Sequence, residues 1–133
     1  MTMTNVLGPY MRSAKSGATT ADRRLLAAAT VSAVPTLATD GFAVPKAEHI
    51  HTLPKVSGGA GLTVSWRMYV WYDVAGAWFG VSSIGTAGLV VSTFGQNKTE
   101  TVQVSGGPDR IAYEITAFDA GATLDLWAGV SGT

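Results

Sequence analysis

From Leu62 to Val74 apolar and polar side chains alternate. Leu62, Val64, Trp66, Met68, Val70, Tyr72 and Val74 fall on one side, and Thr63, Ser65, Arg67, Tyr69, Trp71 and Asp73 on the other. A period of two marks a β-strand with one buried face. At a helical period of 3.6, Arg67 and Asp73 would be surrounded by Trp and Tyr. Thirteen residues at about 3.3 Å each span about 40 Å, longer than a usual strand, so a bend, a bulge or passage between sheet edges is expected.

Other strands follow the same logic. His49, His51 and Leu53 alternate with Glu48, Ile50 and Thr52 between Pro45 and Pro54, and the flanking prolines predict an edge strand. Ala75-Gly76 can close a two-residue hairpin. That register pairs Val74 with Ala77, Tyr72 with Phe79 and Val70 with Val81 on the buried face. On the outer face it sets Asp73 opposite Trp78, Trp71 opposite Gly80 and Tyr69 opposite Ser82. Strands at Leu89–Phe94, Thr99–Val104, Arg110–Phe118 and Leu124–Val130 are separated by Gly, Asn, Asp and Pro turn chemistry. In the last two, read as a hairpin, Ile111, Tyr113, Ile115 and Ala117 should meet Leu124, Leu126, Ala128 and Val130 in the core. Seven or eight strands about ten residues apart predict an all-β fold, an antiparallel β-sandwich or jelly roll.

The N-terminal third has a different character. Met1 to Val44 holds only two of the aromatic residues, Tyr10 and Phe42, among Thr, Ala, Ser and Gly, and cannot build a core of its own. Thr20 or Asp22 could cap a short helix through Ala29, ended by Thr30, Val31 and Pro35. The expected organisation is an extended, partly helical arm over residues 1–45 and a sandwich over 46–133. Arg23-Arg24 before LLAAATVSAVPTLA imitates a signal sequence, but its middle is mostly Ala and Thr and starts late, so it reads as part of the arm. No run of about 18 apolar residues predicts a membrane helix.

Charge sharpens the division. Met1 to Ser57 carries six Lys or Arg against three Asp or Glu, and Gly58 to Thr133 carries three against six. Nucleic-acid binding, which needs a concentrated basic face, is not expected, whereas a chain polarised along its length permits head-to-tail attraction between copies. Only 14% of residues are charged and 47% are hydrophobic, which leaves a surface suited to protein contact.

Candidate chemistry is sparse. With no Cys there is no disulfide, thiolate zinc site or thiol nucleophile. His49 and His51 share a strand face but have no third ligand nearby in sequence, and Asp73, Asp119 and Asp125 lack calcium-loop spacing. No nucleophile elbow, phosphate loop, dinucleotide fingerprint or zinc-protease motif occurs. No catalytic residue, cofactor or metal is therefore expected. Asn97-Lys98-Thr99 matches a glycosylation acceptor, meaningful only in a secreted eukaryotic protein. The outer-face set Tyr69, Trp71, Trp78 and Trp127 can anchor a subunit interface, stack on sugar rings, or lie beneath the arm or the second sheet. Arg12, Lys15, Arg23 and Arg24 with Leu25 and Leu26 equip the arm for an acidic partner surface.

The hairpin YDVAGAWFGVSS, the strand GGPDRIAYEITAF and the closing LDLWAGV together resemble the small β-sandwich structural proteins of tailed bacteriophages: capsid decoration (cement) proteins, head fibres and tail accessory proteins. The resemblance covers about two thirds of the chain in pattern and carries no diagnostic motif. It implies a non-enzymatic virion component, assembled in the host cytoplasm and commonly trimeric. Its partners would be further copies of itself and the major capsid protein or another virion protein, with no nucleic acid or membrane. A carbohydrate-binding module, or a tail or head-fibre protein contacting host glycans, is the alternative.

Overall fold

The structure, a computed structural model, describes residues 24–26, 31–81, 88–95, 99–104 and 106–131. Its strands are β1 (Arg24–Leu26), β2 (Phe42–Ala43), β3 (His49–Ser57), β4 (Thr63–Tyr72), β5 (Ala77–Gly80), β6 (Val90–Thr93), β7 (Glu100–Gln103), β8 (Arg110–Phe118) and β9 (Thr123–Ser131), with a 3-10 turn at Ala38–Asp40 before β2. All pairings are antiparallel. One sheet runs β1-β9-β3-β7; the other runs β2-β8-β4-β5, with β6 also on β4. The fold is all-β, two sheets packed face to face as in a sandwich.

β4 is the central strand of the second sheet. Val64, Trp66, Met68 and Val70 are buried, while Ser65, Arg67, Tyr69 and Trp71 face outward and are half-buried. β8 covers one edge of β4 along its length, and the other edge is shared by β6 at Thr63–Trp66 and β5 at Tyr69–Tyr72. The irregularity expected of so long a strand lies in its β8 pairing: Ser65 faces Ala117 but Trp66 faces Ile115, which makes Thr116 the extra residue of a bulge. Ala117 is thereby turned out with Ser65 and is exposed; it does not join the core. Val74, expected on the buried face, is 96% exposed because β4 ends at Tyr72.

Three further expectations are corrected. The β4–β5 connection is not a two-residue Ala75-Gly76 turn. Tyr72 pairs with Ala77, Trp71 with Trp78, Val70 with Phe79 and Tyr69 with Gly80, leaving Asp73 to Gly76 as the loop. A two-residue turn would force Ala75 to positive φ. In the four-residue loop the N–H groups of Ala75 and Gly76 both donate to Tyr72 C=O, at 3.1 and 2.9 Å, and Gly76 takes positive φ. The shift of two residues keeps every side chain on its expected face, but Phe79, on the sheet rim, is 46% exposed.

β3 is an interior strand, not an edge. It pairs with β9 throughout His49–Ser57 and with β7 over His49–Thr52. Pro54 is tolerated because β7 pairing stops two residues earlier, so a missing N–H on that side breaks no ladder bond. Finally, β8 and β9 are not a hairpin. They lie in different sheets, and the link between them crosses the sandwich. Asp119 fixes the crossing by accepting from Thr63 N–H (2.8 Å) and Thr63 Oγ1 (3.1 Å), while its own N–H donates to Thr63 C=O. Ile111, Tyr113 and Ile115 do meet Leu124, Leu126, Ala128 and Val130 in one core.

The expected helix near Asp22 to Ala29 meets a strand instead at Arg24–Leu26, which pairs with Trp127 and Leu126 on the edge of β9; the rest of it lies outside the described residues. The chain then reaches the outer edge of β8. There Ser32 N–H donates to Ile115 C=O (3.0 Å) and Ile115 N–H donates to Ser32 Oγ (2.7 Å). Phe42, paired with Ile111, is 1% exposed and belongs to the core.

Introducing Asp at Met68 or Val70 should abolish the folded state, since an unpaired charge between the sheets costs several kcal/mol against a total of about 5–15 kcal/mol. Ser65→Asp should melt within a few degrees of the parent. Circular-dichroism melts of the three variants check the face assignment.

Candidate interaction face

The outer side of the second sheet carries Arg67, Tyr69 and Trp71 from β4, Trp78 from β5 and Glu114 from β8. Alternation turns these side chains outward, and the register stacks them across strands. Tyr69 Oη donates to Glu114 Oε1 at 2.8 Å, and Arg67 stands 3.9 Å from the same oxygen. Burial, then the hydrogen bond to Glu114, raises the Tyr69 hydroxyl above its ordinary pKa, so Tyr69 acts as a neutral donor. Gly80 lies opposite Tyr69, where a Cβ would sit 3.8 Å from the ring.

Trp71 and Trp78 face each other with ring centroids 5.4 Å apart at 62°. Val81 N–H donates to Met68 C=O, and counting down the ladder from that hydrogen-bonded pair makes Trp71 and Trp78 a non-hydrogen-bonded pair, the type whose side chains approach most closely. Both indole N–H groups are engaged. Trp71 donates to Asp73 Oδ1 at 2.8 Å and Trp78 to Leu37 C=O at 2.9 Å. The second bond pins residues 36–41 against Trp78. Asp40 shapes that loop by accepting from the N–H groups of Thr36 and Leu37, both at 2.8 Å, and these bonds lower its pKa. Gly41 is required there: an added Cβ would overlap the Ile111 carbonyl and approach the Trp78 ring. Of the aromatic set, Trp78 is thus partly covered by the chain before β2, while Tyr69 and Trp71 remain half-exposed.

Trp127 does not join this strip. It lies on β9 in the other sheet, opposite Leu53 and Arg24, so it faces the far side of the molecule. Arg24, Leu25 and Leu26 form the edge strand β1; Arg12, Lys15 and Arg23 lie outside the described residues.

Asp109, which sequence reasoning had assigned only to a turn, is the electrostatic hub at this end of the sheet. Its carboxylate accepts from Lys46 Nζ at 2.6 Å and from Asp73 N–H at 2.7 Å, and its backbone N–H donates to Trp71 C=O at 2.8 Å. Lys46 also donates to Gly107 C=O. The Lys46 bond, then the Asp73 N–H, holds the Asp109 carboxyl below its usual value. The signal was the Gly-Gly-Pro-Asp run at a strand start, but its partners are distant in sequence.

His51 Nδ1 lies 3.0 Å from Thr101 Oγ1, and among the described residues no three His, Cys, Asp or Glu converge. An open depression lined by Val31, Phe118 and residues 119–122 contains one carboxylate, Asp119, already bonded to Thr63. What the outer face offers is half-exposed rings beside an Arg–Glu–Tyr network, a surface for contact.

Gly41→Ala should lower stability by about 1–3 kcal/mol through overpacking, read as a fall in Tm. The Lys46–Asp109 contact has a defined pH signature. A carboxyl whose folded pKa is depressed stabilises above its unfolded value, near 3.8, and that stabilisation disappears as pH falls through the folded value. Asp109→Asn should therefore melt below the parent at pH 7, and the difference between the two should shrink as pH falls below the unfolded value. No protein-family model, curated protein or solved structure matches the chain.

Proposed function

We propose that this protein is a non-enzymatic virion structural component, a capsid decoration protein that acts as a homo-oligomer and holds to the major capsid protein or another virion protein. Its contacts would be the N-terminal arm and the outer face around Tyr69 and Trp71. What supports the reading is that the first described strand, β1, lies at a sheet edge and follows a basic, small-residue stretch of sequence. β1 holds to β9 through Arg24 and Leu26, and 23 residues precede it. Extended at about 3.3 Å per residue, such a segment reaches about 75 Å, farther than a domain of this size is wide. The preceding residues carry Arg12, Lys15 and Arg23 against Asp22, so acidic protein surface attracts them. The phage setting rests on the resemblance in strand pattern.

Three results test this. The intact chain should sediment as an oligomer; a monomer overturns the reading. Trp71→Ala should stay folded but associate more weakly, by about 2–4 kcal/mol. If instead it abolishes glycan-array binding with the oligomer intact, the face serves sugar. A chain beginning at Arg24 should keep its melting temperature yet lose attachment to capsids, and attachment of the full chain should weaken with salt, because exposed charges more than about 8 Å apart are screened at physiological ionic strength. Full occupancy by the shortened chain would show that the arm is dispensable.

A further inference from the structure

β6 occupies the rim of the second sheet, and its hydrogen-bond pattern assigns a direction to every backbone group. Phe94 N–H donates to Leu62 C=O at 3.0 Å, continuing the register Thr63–Thr93, Val64–Ser92, Ser65–Val91 and Trp66–Val90. In an antiparallel ladder, pairs that exchange backbone bonds alternate with pairs that do not. Val90 and Ser92 accordingly turn N–H and C=O toward β4. Val91 and Thr93 turn theirs away. Among the described residues β6 pairs with β4 alone, so the outer edge presents the N–H and C=O of both residues to a partner.

The side chains match that exposure. Val91 is 51% and Phe94 42% exposed. The run Leu89 to Phe94, LVVSTF, contains no charge, proline or glycine. Natural sheet edges are normally protected by lysine, proline, a bulge or a covering segment; β6 has none of the first three. An unprotected neutral edge of β-branched residues is a pairing template.

We propose that β6 pairs with β6 of a second copy across a two-fold axis, merging two second sheets into one continuous antiparallel sheet. This deepens the assembly role proposed above and rests on it for its purpose. Geometry selects a second copy as occupant. With Ser92 on the axis, Val91 falls opposite Thr93 of the partner subunit and the reverse pair repeats it, so the four outward N–H groups meet the four outward C=O groups. A slip of one residue would set outward groups against inward ones. Electrostatics agrees. Two identical edges attract only when neither carries a charge to repel its twin, which holds here, and the basic arm has no acid on β6 to pair with. A two-fold contact links copies in pairs, so the assembly is even-numbered rather than the trimer implied by resemblance.

The test uses the full chain. Sedimentation equilibrium should give a dimer or a multiple of it. Val91→Lys should weaken self-association by about tenfold or more, with Tm unchanged, by setting like charges near the axis. Val91→Pro should do the same, since that N–H points away from β4 and its loss breaks no bond within the chain. The chain has no Cys, so register can be read directly. Mixed chains carrying Val91→Cys or Thr93→Cys should form the 91–93 disulfide on mild oxidation. A monomeric or trimeric parent, an assembly indifferent to Val91→Lys, or absence of that cross-link overturns the proposal. Association lost on removing residues 1–23 but unaffected by Val91→Lys also overturns it, in favour of the arm. Dimers that form through β6 yet fail to attach to capsids would sink the decoration role and leave this interface standing.

Discussion

A buried hydrogen bond between Tyr113 on β8 and Thr52 on β3, 2.8 Å between hydroxyl oxygens, fixes how the two sheets lie on one another. Both residues are essentially inaccessible to solvent, and burial drives the Tyr113 hydroxyl well above its ordinary pKa, so it remains neutral. A hydrophobic core tolerates sliding because apolar contact is non-directional. A hydroxyl pair does not. Separating the two would strand a polar group at a cost of about 1–3 kcal/mol. Trp66 packs edge-on against Tyr113, centroids 5.6 Å apart, and donates its indole N–H to Ser92 Oγ at 3.2 Å. This thread of hydrogen bonds and ring contact runs β3-β8-β4-β6 through the centre of the molecule and ties β6 to its register.

The two sides of the sandwich are closed by different means. At the β8 and β9 edges the chain before β2 does the work: β1 on β9, Ser32 and then β2 on β8. The described part of the N-terminal third therefore belongs to the fold, and Phe42 reaches its core. The opposite side ends in β7, β5 and β6, short strands of four residues each. Shortness is itself a guard against edge pairing, and β5 adds Gly80 and the covered Trp78. Among the described residues β5 and β6 both leave an open ladder beside an exposed apolar side chain, Phe79 on β5 and Val91 on β6.

Much of this was legible in the sequence wherever burial dominates. The alternation of β4 and the extents of β8 and β9 follow from one wet and one dry face, and the structure reproduces β8 residue for residue. What failed was set by partners rather than by local pattern. Arg24, Leu25 and Leu26 are good helix formers, yet β9 supplies ladder bonds that outweigh a propensity difference of a few tenths of a kcal/mol. Pro54 marks a free edge on one side only, and a sequence cannot say which neighbour stops short. Phe79 keeps the strand alternation but outruns the covering sheet, and Val74 lies past the end of β4 in the loop. Alternation reports which side of a strand a residue occupies and is silent on whether anything lies over it. The same limit applies to the aromatic strip: the sequence put Tyr69, Trp71 and Trp78 on one face, but that residues 36–41 would cover Trp78 depends on the Asp40 turn and on Gly41.

The two proposed association modes differ in physics, and this bears on how such a molecule would work. Among the described residues the acids Asp40, Asp73, Asp109, Asp119 and Glu114 are already bonded within the fold. In the proposed assembly recognition would fall to backbone groups at β6 and to rings at Tyr69 and Trp71, both short-ranged and insensitive to salt. The segment before β1, net positive in sequence, would in that proposal act over distance and be screened. A long charged arm raises the rate of encounter, whereas a neutral edge or ring face sets how slowly the complex comes apart. Separating capture from retention in this way lets a small, weakly charged domain find a large surface quickly without making its final hold depend on ionic strength.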